Sequence, residues 1–468
     1  MTRPARVRRR PDVGEPALWS FPEPERTRLP NGLDLLIVDL PGQHVLSLRV
    51  SLAVPIGRER PGQEGSTLMM ARCLDEGTGS RSATELAELA ERHGIALGAG
   101  AGEHGVHLGA EVTGRHLGTA LELIVECLDD PTFPEAEVAR QVRHRLTDLA
   151  HELADPTGRA HHELRQAYYA AGDRSRVPVG GTTSSVGVLT PDVLRARHRV
   201  LGPRGGVVVL AGDLATVQDP VRLLSGTLGS WHPSPPEAPD GPRRAERSPD
   251  AHQVVLVPRP GAGQTELLLA RPGPDRRTPH GWGTYQALSM LFGGAPHSRL
   301  DRVLRERRGW TYGMRLGFRP RRVGGQCVVG GAVRADATLP ALEETLRILG
   351  APGESLGQQE VREAADFVAM TAPARYLTAD SVADELVSLV GDGLGPEAVT
   401  RTLREVHDLT TERAAQAWDE VRTGPGWTVV VVGDPDAIAP VADAGLGPVR
   451  TVGPPRLSPR PRPPGPAS

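Results

Sequence analysis

The residue types that could do chemistry are unevenly supplied in this 468-residue chain, and one is missing. All 54 basic residues are arginine and none is lysine. That excludes Schiff-base and pyridoxal-phosphate enzymes, and phosphate loops ending in Gly-Lys-Ser/Thr. Cys73, Cys127 and Cys327 are odd in number and widely spaced, with no Cys-x-x-Cys, which argues against a disulfide framework or a thiolate zinc site. Two histidine groups carry ligand atoms, Glu103-His104-Gly105-Val106-His107 and His161-His162-Glu163. The first reads as a strand, where His104 and His107 point to opposite faces; in the second, adjacent helical residues diverge by about 100°. Both spacings disfavour shared chelation.

The background is that of a soluble globular protein, 38% hydrophobic and 24% charged. A net charge of −3 supplies no long-range field to recruit nucleic acid or an anionic membrane. The one basic cluster, Arg3 to Arg10, reads as a solvated arm. No apolar stretch of about 18 residues follows it, so neither a signal peptide nor a membrane span is expected, and the protein is expected in the cytoplasm.

The elements that must position any site are written twice. Leu189-Thr190 opens a helical stretch leading to Val207-Val208-Val209-Leu210-Ala211-Gly212-Asp213, and Leu409-Thr410 opens another leading to Val429-Val430-Val431-Val432-Gly433-Asp434. Each aliphatic run reads as a buried central strand leaving into a turn, and the recurrence predicts tandem halves. The boundaries that follow are an Arg/Pro-rich disordered arm over 1–24, an N-terminal half over 25–230, a Pro-rich linker over 231–251, a C-terminal half over 252–450, and a Pro-rich disordered tail over 451–468.

Local signals in the first half are strong. Asn31-Gly32 separates two strand-like runs and predicts a hairpin, with strands over 35–40 and 45–54. Ser82-Ala83-Thr84-Glu85 is a capping box opening a helix that ends at Gly94. Leu117, Leu121, Ile124 and Leu128 mark a second helix stopped near Pro131, and Val138 to Leu153 a third ending before Pro156. Strands followed by helices predict an α+β layer, an antiparallel-rich sheet covered on one face.

In this order the pieces resemble the M16 peptidase family, the insulinase-like or pitrilysin-like inverzincins, and especially its two-subunit branch. The resemblance rests on Leu29-Pro30-Asn31-Gly32-Leu33, on Glu64-Gly65 to Gly77-Thr78, on Gly293-Gly294-Ala295-Pro296-His297-Ser298-Arg299-Leu300, and on Leu304-Arg305 through Gly309-Trp310-Thr311-Tyr312. It implies two homologous halves, each of two α/β sandwich-like subdomains, arranged as a clam-shell. Such enzymes carry His-x-x-Glu-His on a helix, where i, i+3 and i+4 share a face and hold zinc with its activated water. Here the anchors Gly65 and Gly77-Thr78 put that motif on Leu68, Ala71 and Arg72, and the family's later glutamate ligand aligns with Asp148. None of the three motif positions can ligate, so no cofactor is expected in this chain, and Arg72 and Asp148 are expected to form an ion pair where the metal would be.

The resemblance also implies what is left. In two-subunit members the chain without zinc supplies an arginine and a tyrosine, seven residues apart, that contact the scissile carbonyl region; Arg305 and Tyr312 have that spacing. Both are donors able to bind an oxyanion, and with only 5 tyrosines in the chain Tyr312 carries most of the information. Gly293 and Gly294, before Ser298 and Arg299, could let backbone approach a bound peptide; a packing-driven turn is the equal alternative. The expected function is thus a non-zinc subunit of a heterodimeric metallopeptidase, acting on a peptide with a homologous partner that bears His-x-x-Glu-His and the zinc. The alternative is a pseudopeptidase that binds or scaffolds peptides without hydrolysis.

Overall fold

The computed structural model describes residues 14–233 and 243–453. The first half runs through strands Glu25–Arg28 (β1), Asp34–Asp39 (β2) and Val45–Leu52 (β3), helices Ser66–Arg72 (α1) and Ala83–His93 (α2), and strands Ala96–Ala101 (β4) and Val106–Thr113 (β5). Helices Leu117–Asp129 (α3), Glu135–Ala154 (α4), Pro156–Tyr168 (α5), Thr183–Val186 (α6) and Pro191–His198 (α7) follow, then strand Val207–Gly212 (β6) and helix Pro220–Gly226 (α8). The second half has strands Val254–Pro258 (β7) and Gln264–Gly273 (β8), helix Trp282–Ser289 (α9), and strands Arg315–Pro320 (β9) and Gly325–Arg334 (β10). It continues with helices Thr338–Gly350 (α10), Gln358–Arg375 (α11), Ala379–Gly391 (α12), Ala398–His407 (α13) and Thr411–Arg422 (α14), strand Thr428–Gly433 (β11), helix Pro435–Ile438 (α15) and strand Val449–Thr451 (β12).

Each half builds one six-stranded sheet, ordered β1-β2-β6-β3-β5-β4 and β12-β7-β11-β8-β10-β9. The two orders coincide position by position, with β12 taking the edge that β1 takes in the first sheet. The predicted aliphatic strands β6 and β11 are fully buried and sit between a parallel and an antiparallel neighbour. Their helices begin where the sequence placed them, with Thr190 and Thr410 accepting from the backbone N–H groups of Val193 and Arg413. The capping box at Ser82 and the left-handed Gly94 bound α2 as expected.

Helices of the same half cover one face of each sheet, as the alternation predicts. In β3, Leu46, Leu48, Val50 and Leu52 enter the core beneath α1 and α3, while Ser47, Arg49 and Ser51 alternate to the other face. That other face is not open. Helix α12 from the second half lies across β3 and β6, and helix α5 from the first half lies across β8 and β11. Val382, Leu386 and Leu389 of α12 are buried with Val207 and Val209, each worth about 1.5–3 kcal/mol. Ala160, Leu164 and Tyr168 of α5 are buried with Leu268 and Val430. The halves are therefore joined by a reciprocal exchange of helices.

Three expectations change. Each half has a single sheet where two sandwich-like subdomains were expected, because the second face is filled by the other half's helix. The sheet covered on one face becomes a sheet covered on both. The arm expected over 1–24 ends earlier: Phe21 is buried, its ring meets Tyr376 edge-on at 4.9 Å, and Trp19 stacks on the same tyrosine at 5.7 Å. Residues 1–13 of the arm, 234–242 of the linker and 454–468 of the tail lie outside the described residues. Among the described residues no helix is long and apolar enough to cross a membrane.

Candidate functional site

Helix α1 carries the positions aligned with the zinc motif. It starts at Gly65, whose φ of +97° favours glycine and whose absent Cβ admits the backbone of Gly180 and Gly181 at 3.0 Å. A buried carboxylate caps it: Glu59 accepts from the backbone N–H of Thr67 at 2.7 Å and of Gly65 at 3.2 Å, and Arg174 balances its charge at 2.6 Å. With Met69, Met70 and Ala71 buried inward, Leu68 and Arg72 fall on the half-exposed side. Arg72 Nη1 lies 3.3 Å from Asp148 Oδ2 on α4, forming the ion pair expected in place of a metal. The two side chains are 34% and 47% exposed, so solvent screening holds the pair's worth to about 0–1 kcal/mol.

These residues do not fit a zinc ion. Leu68 and Ala71 offer no donor atom, and the Arg72 guanidinium repels a cation from the one carboxylate that could ligate it. Among the described residues no group of three His, Cys, Asp or Glu could hold a metal ion. What remains is a cavity of about 610 Å³ lined by Arg72, Asp75, Gly98, Ala99, His144 and Asp148. Glu76 at its margin is occupied by Arg140 and Gln141, each at 2.5 Å. Gly98 and Ala99 belong to β4, the edge strand of the first sheet. His144 was not singled out from sequence, although it sits one helical turn before Asp148 and that spacing could have flagged it.

The rival histidine groups are dispersed. His104 faces Asp392 at 3.5 Å, while His107 packs over Gly100 and burial holds its pKa below the ordinary value. His161 bonds to the Thr157 carbonyl at 2.9 Å, and Glu163 pairs with Arg159 at 3.0 Å. Burial pushes the thiols of Cys73, Cys127 and Cys327 up to about 12, so none is a ready thiolate nucleophile or ligand.

Arg305 and Tyr312 flank a turn that is pinned from below. After α9, the chain is π-helical over Met290–Gly294 and again over Asp301–Arg307. The wide turn is visible in Arg308 N–H donating to Val303 O at 3.1 Å, and Gly309, at φ +63°, closes the second segment. Asp301, fully buried, accepts from the Met314 backbone N–H at 3.0 Å and from Arg315 at 2.8 Å. The Thr311 hydroxyl donates to the Ala332 carbonyl at 2.6 Å. So held, the turn presents Tyr312 outward, 87% exposed, with Arg305 exposed on the last helical turn. Among the described residues neither side chain has a hydrogen-bond or ion-pair partner.

Of the two readings open for the substrate-loop candidates, the geometry follows the packing-driven turn. Gly293 packs against backbone, where a Cβ would stand 2.3 Å from the Leu316 nitrogen, and at Gly294 it would stand 2.6 Å from Met290. Ser298 is buried, with Oγ accepting from the Asp301 N–H at 3.3 Å. Arg299 is bidentate to Glu360 at 2.7 and 2.8 Å and donates to the Ser355 carbonyl. These four residues serve packing and helix geometry, since their polar atoms are already used internally.

The comparisons with known proteins bear on the family resemblance and on the fold. Residues 189–366 match the family profile described as the Peptidase M16 inactive domain. An uncharacterized zinc protease of Mycobacterium bovis is 31% identical over 308 residues, covering 62% of this chain and 65% of its own length. Over residues 189–366 the chain is similar to M16 peptidases. A second uncharacterized zinc protease, from Rickettsia bellii, is 24% identical over 61% of this chain and 68% of the relative. The chain thus spans 65% of the mycobacterial relative. In fold it is similar to a solved M16 inactive domain from Pseudomonas fluorescens, with TM-score 0.79 and 22% identity over 88% of this chain and 98% of that one. A Helicobacter pylori protease matches with TM-score 0.78 and 17% identity over 88% of this chain and all of the other.

Proposed function

We propose that this chain is the zinc-free subunit of a two-chain M16 peptidase, and that Arg305 and Tyr312 act in trans on the metal site of a homologous partner. The observation that carries this reading is a contrast in spent and unspent donors. The guanidinium at position 72 is paired with Asp148, while Arg305 and Tyr312 stand exposed with no hydrogen-bond or ion-pair partner among the described residues. A guanidinium and a phenol are suited to stabilise the oxyanion that forms when the partner's metal-bound water attacks a peptide carbonyl. The protein would then have no peptidase activity alone.

The test is co-expression with an M16 chain carrying His-x-x-Glu-His, followed by zinc analysis of each chain and a peptidase assay. Zinc is expected in the partner, and cleavage in the complex only. Stoichiometric zinc in the isolated chain would overturn the alignment of Leu68, Ala71 and Arg72 with the motif. A second reading, peptide binding without hydrolysis, is favoured by the edge strand β4 beside the cavity of the first half, which offers unpaired backbone to an added strand. It predicts peptide binding that is indifferent to substitution of Arg305.

A further inference from the structure

The two exchanged helices sit in matching positions, yet their charges are balanced differently. At the α12 seam two guanidiniums meet two carboxylates each. Arg49 has Glu111 and Asp384, both at 2.7 Å, and Arg276 has Asp392 at 3.1 Å and Glu385 at 3.3 Å. Around α5 the cations outnumber their partners. Arg165 of α5 donates to the neutral Ser175 carbonyl at 2.9 Å, and Arg319 of β9 donates to His161 Nε2 at 3.1 Å. Arg321 has a carboxylate, Glu103, and also bonds Ser175 Oγ at 2.7 Å, and Arg159 of α5 has Glu163 at 3.0 Å. Among the described residues neither Arg165 nor Arg319 has an acidic partner.

The histidine explains how this arrangement is kept. His161 Nδ1 lies 2.9 Å from the Thr157 carbonyl, which can only accept, so the proton is on Nδ1 and Nε2 is left to accept from Arg319. Burial, aided by Arg319 and Arg165 and opposed by the Thr157 carbonyl, holds the His161 pKa below its ordinary value. The imidazole is therefore a neutral orienting group. Arg319 is exposed as a residue, yet burial around its charged end and the nearby Arg165 lower its pKa. Two guanidiniums held by neutral acceptors, with N–H groups to spare, form an incomplete electrostatic set.

They line a cavity of about 320 Å³ between α5, the β4–β5 turn and the β9–β10 hairpin. Through His161 and Arg165 it adjoins a second cavity of about 560 Å³, whose walls include Leu149, Leu153 and Pro178. We propose that the Arg165–Arg319 pocket is a carboxylate subsite, which takes an acidic side chain or the C-terminal carboxylate of a peptide lying between the halves, with an aliphatic residue of that peptide in the adjoining cavity. The subsite rests on the peptide-handling reading above. A carboxylate supplies the planar acceptor pair that matches a guanidinium fork, and it neutralises the excess charge without a new buried cation. The residues involved come from both halves, so a bound peptide would bridge them.

Isothermal titration calorimetry on the full chain tests this with three alanine-leucine decapeptides: one with a central glutamate and an amidated end, one with glutamine and an amidated end, and one with glutamine and a free end. The glutamate or the free-ended peptide is expected to bind at least tenfold more tightly than the neutral one, and which of the two gains identifies the source of the carboxylate. Arg319→Gln and, independently, Arg165→Gln should erase that gain and leave the neutral peptide's affinity unchanged. Equal binding of all three peptides to the wild-type chain overturns the subsite and leaves the peptide-handling reading standing. Binding of none overturns both.

Discussion

The polar groups on the α1–α4 face of the first half satisfy one another, whereas those on the turn after β8 and α9 in the second half are left to solvent. Arg72 meets Asp148, Glu76 holds Arg140 and Gln141, and Glu59 caps α1 with Arg174 as its counter-ion. In the second half, Asp301 and Thr311 are spent on holding the turn, and what the turn displays, Arg305 and Tyr312, is unspent. The absence of ligand atoms at Leu68, Ala71 and Arg72 and the exposed donors of Arg305 and Tyr312 are the contrast on which the proposed trans-acting role rests. The largest expected effect tests that contrast directly. In a complex with a zinc-bearing partner, Arg305→Ala and Tyr312→Phe should each lower kcat/KM by about 10²- to 10³-fold, the usual cost of an oxyanion donor. Thermal midpoints should stay at the wild-type value, because both side chains are exposed and, among the described residues, neither makes a hydrogen bond or ion pair. Unchanged kcat/KM in both variants would refute the contrast.

A second prediction separates display from scaffolding within the second half. Gly293→Ala places a methyl 2.3 Å from the Leu316 backbone nitrogen and 2.9 Å from the Arg315 carbonyl carbon, and neither backbone atom can retreat. A destabilisation of about 2–3 kcal/mol is expected, read by denaturant unfolding. If the glycine served only a bound peptide, the variant would keep wild-type stability and lose peptide affinity instead.

Much of this was legible in the sequence, and the failures share a physical cause. Asn31-Gly32, the Ser82 capping box and the paired aliphatic runs at 207–212 and 428–433 are local signals, and each landed on its element. The ion pair of Arg72 with Asp148 came from an alignment anchored on glycines. What could not be read is whatever depends on a neighbour far along the chain. The polar side of β3, with Ser47, Arg49 and Ser51, resembles a solvent face by its period of two, yet α12 covers it and Asp384 pairs with Arg49. Ser298 and Arg299 read as loop residues because nothing nearby in sequence announces Glu360. Arg165 and Arg319 meet only because the helices are exchanged, and a chain whose basic residues are all arginine gives neither one any local distinction.

The seam between the halves offers a pH-dependent probe of the exchange. Glu266 on β8 lies beneath the start of α5, and burial, with Asp155 adding like charge, pushes its carboxyl up to about 7 from an ordinary 4.5. A carboxyl whose pKa is raised on folding binds its proton more tightly in the native state. Stability is then greatest below about pH 4.5, falls as pH rises to about 7, and is level above that. Glu266→Gln should be more stable than wild type by about 1–2 kcal/mol at pH 8, with the difference shrinking towards zero near pH 5. Urea unfolding at the two pH values decides it, and a gain that is the same at both would show that Glu266 is not the titrating group.

The smallest effect is expected where the metal would be. Arg72 and Asp148 make one contact at 3.3 Å between half-exposed side chains, so their attraction is screened by water and opposed by the entropy of fixing a long arginine. A double-mutant cycle with Arg72→Ala and Asp148→Ala should return a coupling below about 1 kcal/mol that shrinks further in high salt. The buried Glu59–Arg174 pair, with the glutamate wholly out of solvent, is the internal contrast, because losing one partner there strands a charge. A weak pair at positions 72 and 148 means that the α1–α4 face is held by the cap at Glu59 and by the core beneath α1. A coupling of several kcal/mol would instead make the arginine a structural replacement for the ion, with the first half depending on it as a metalloprotein depends on its metal.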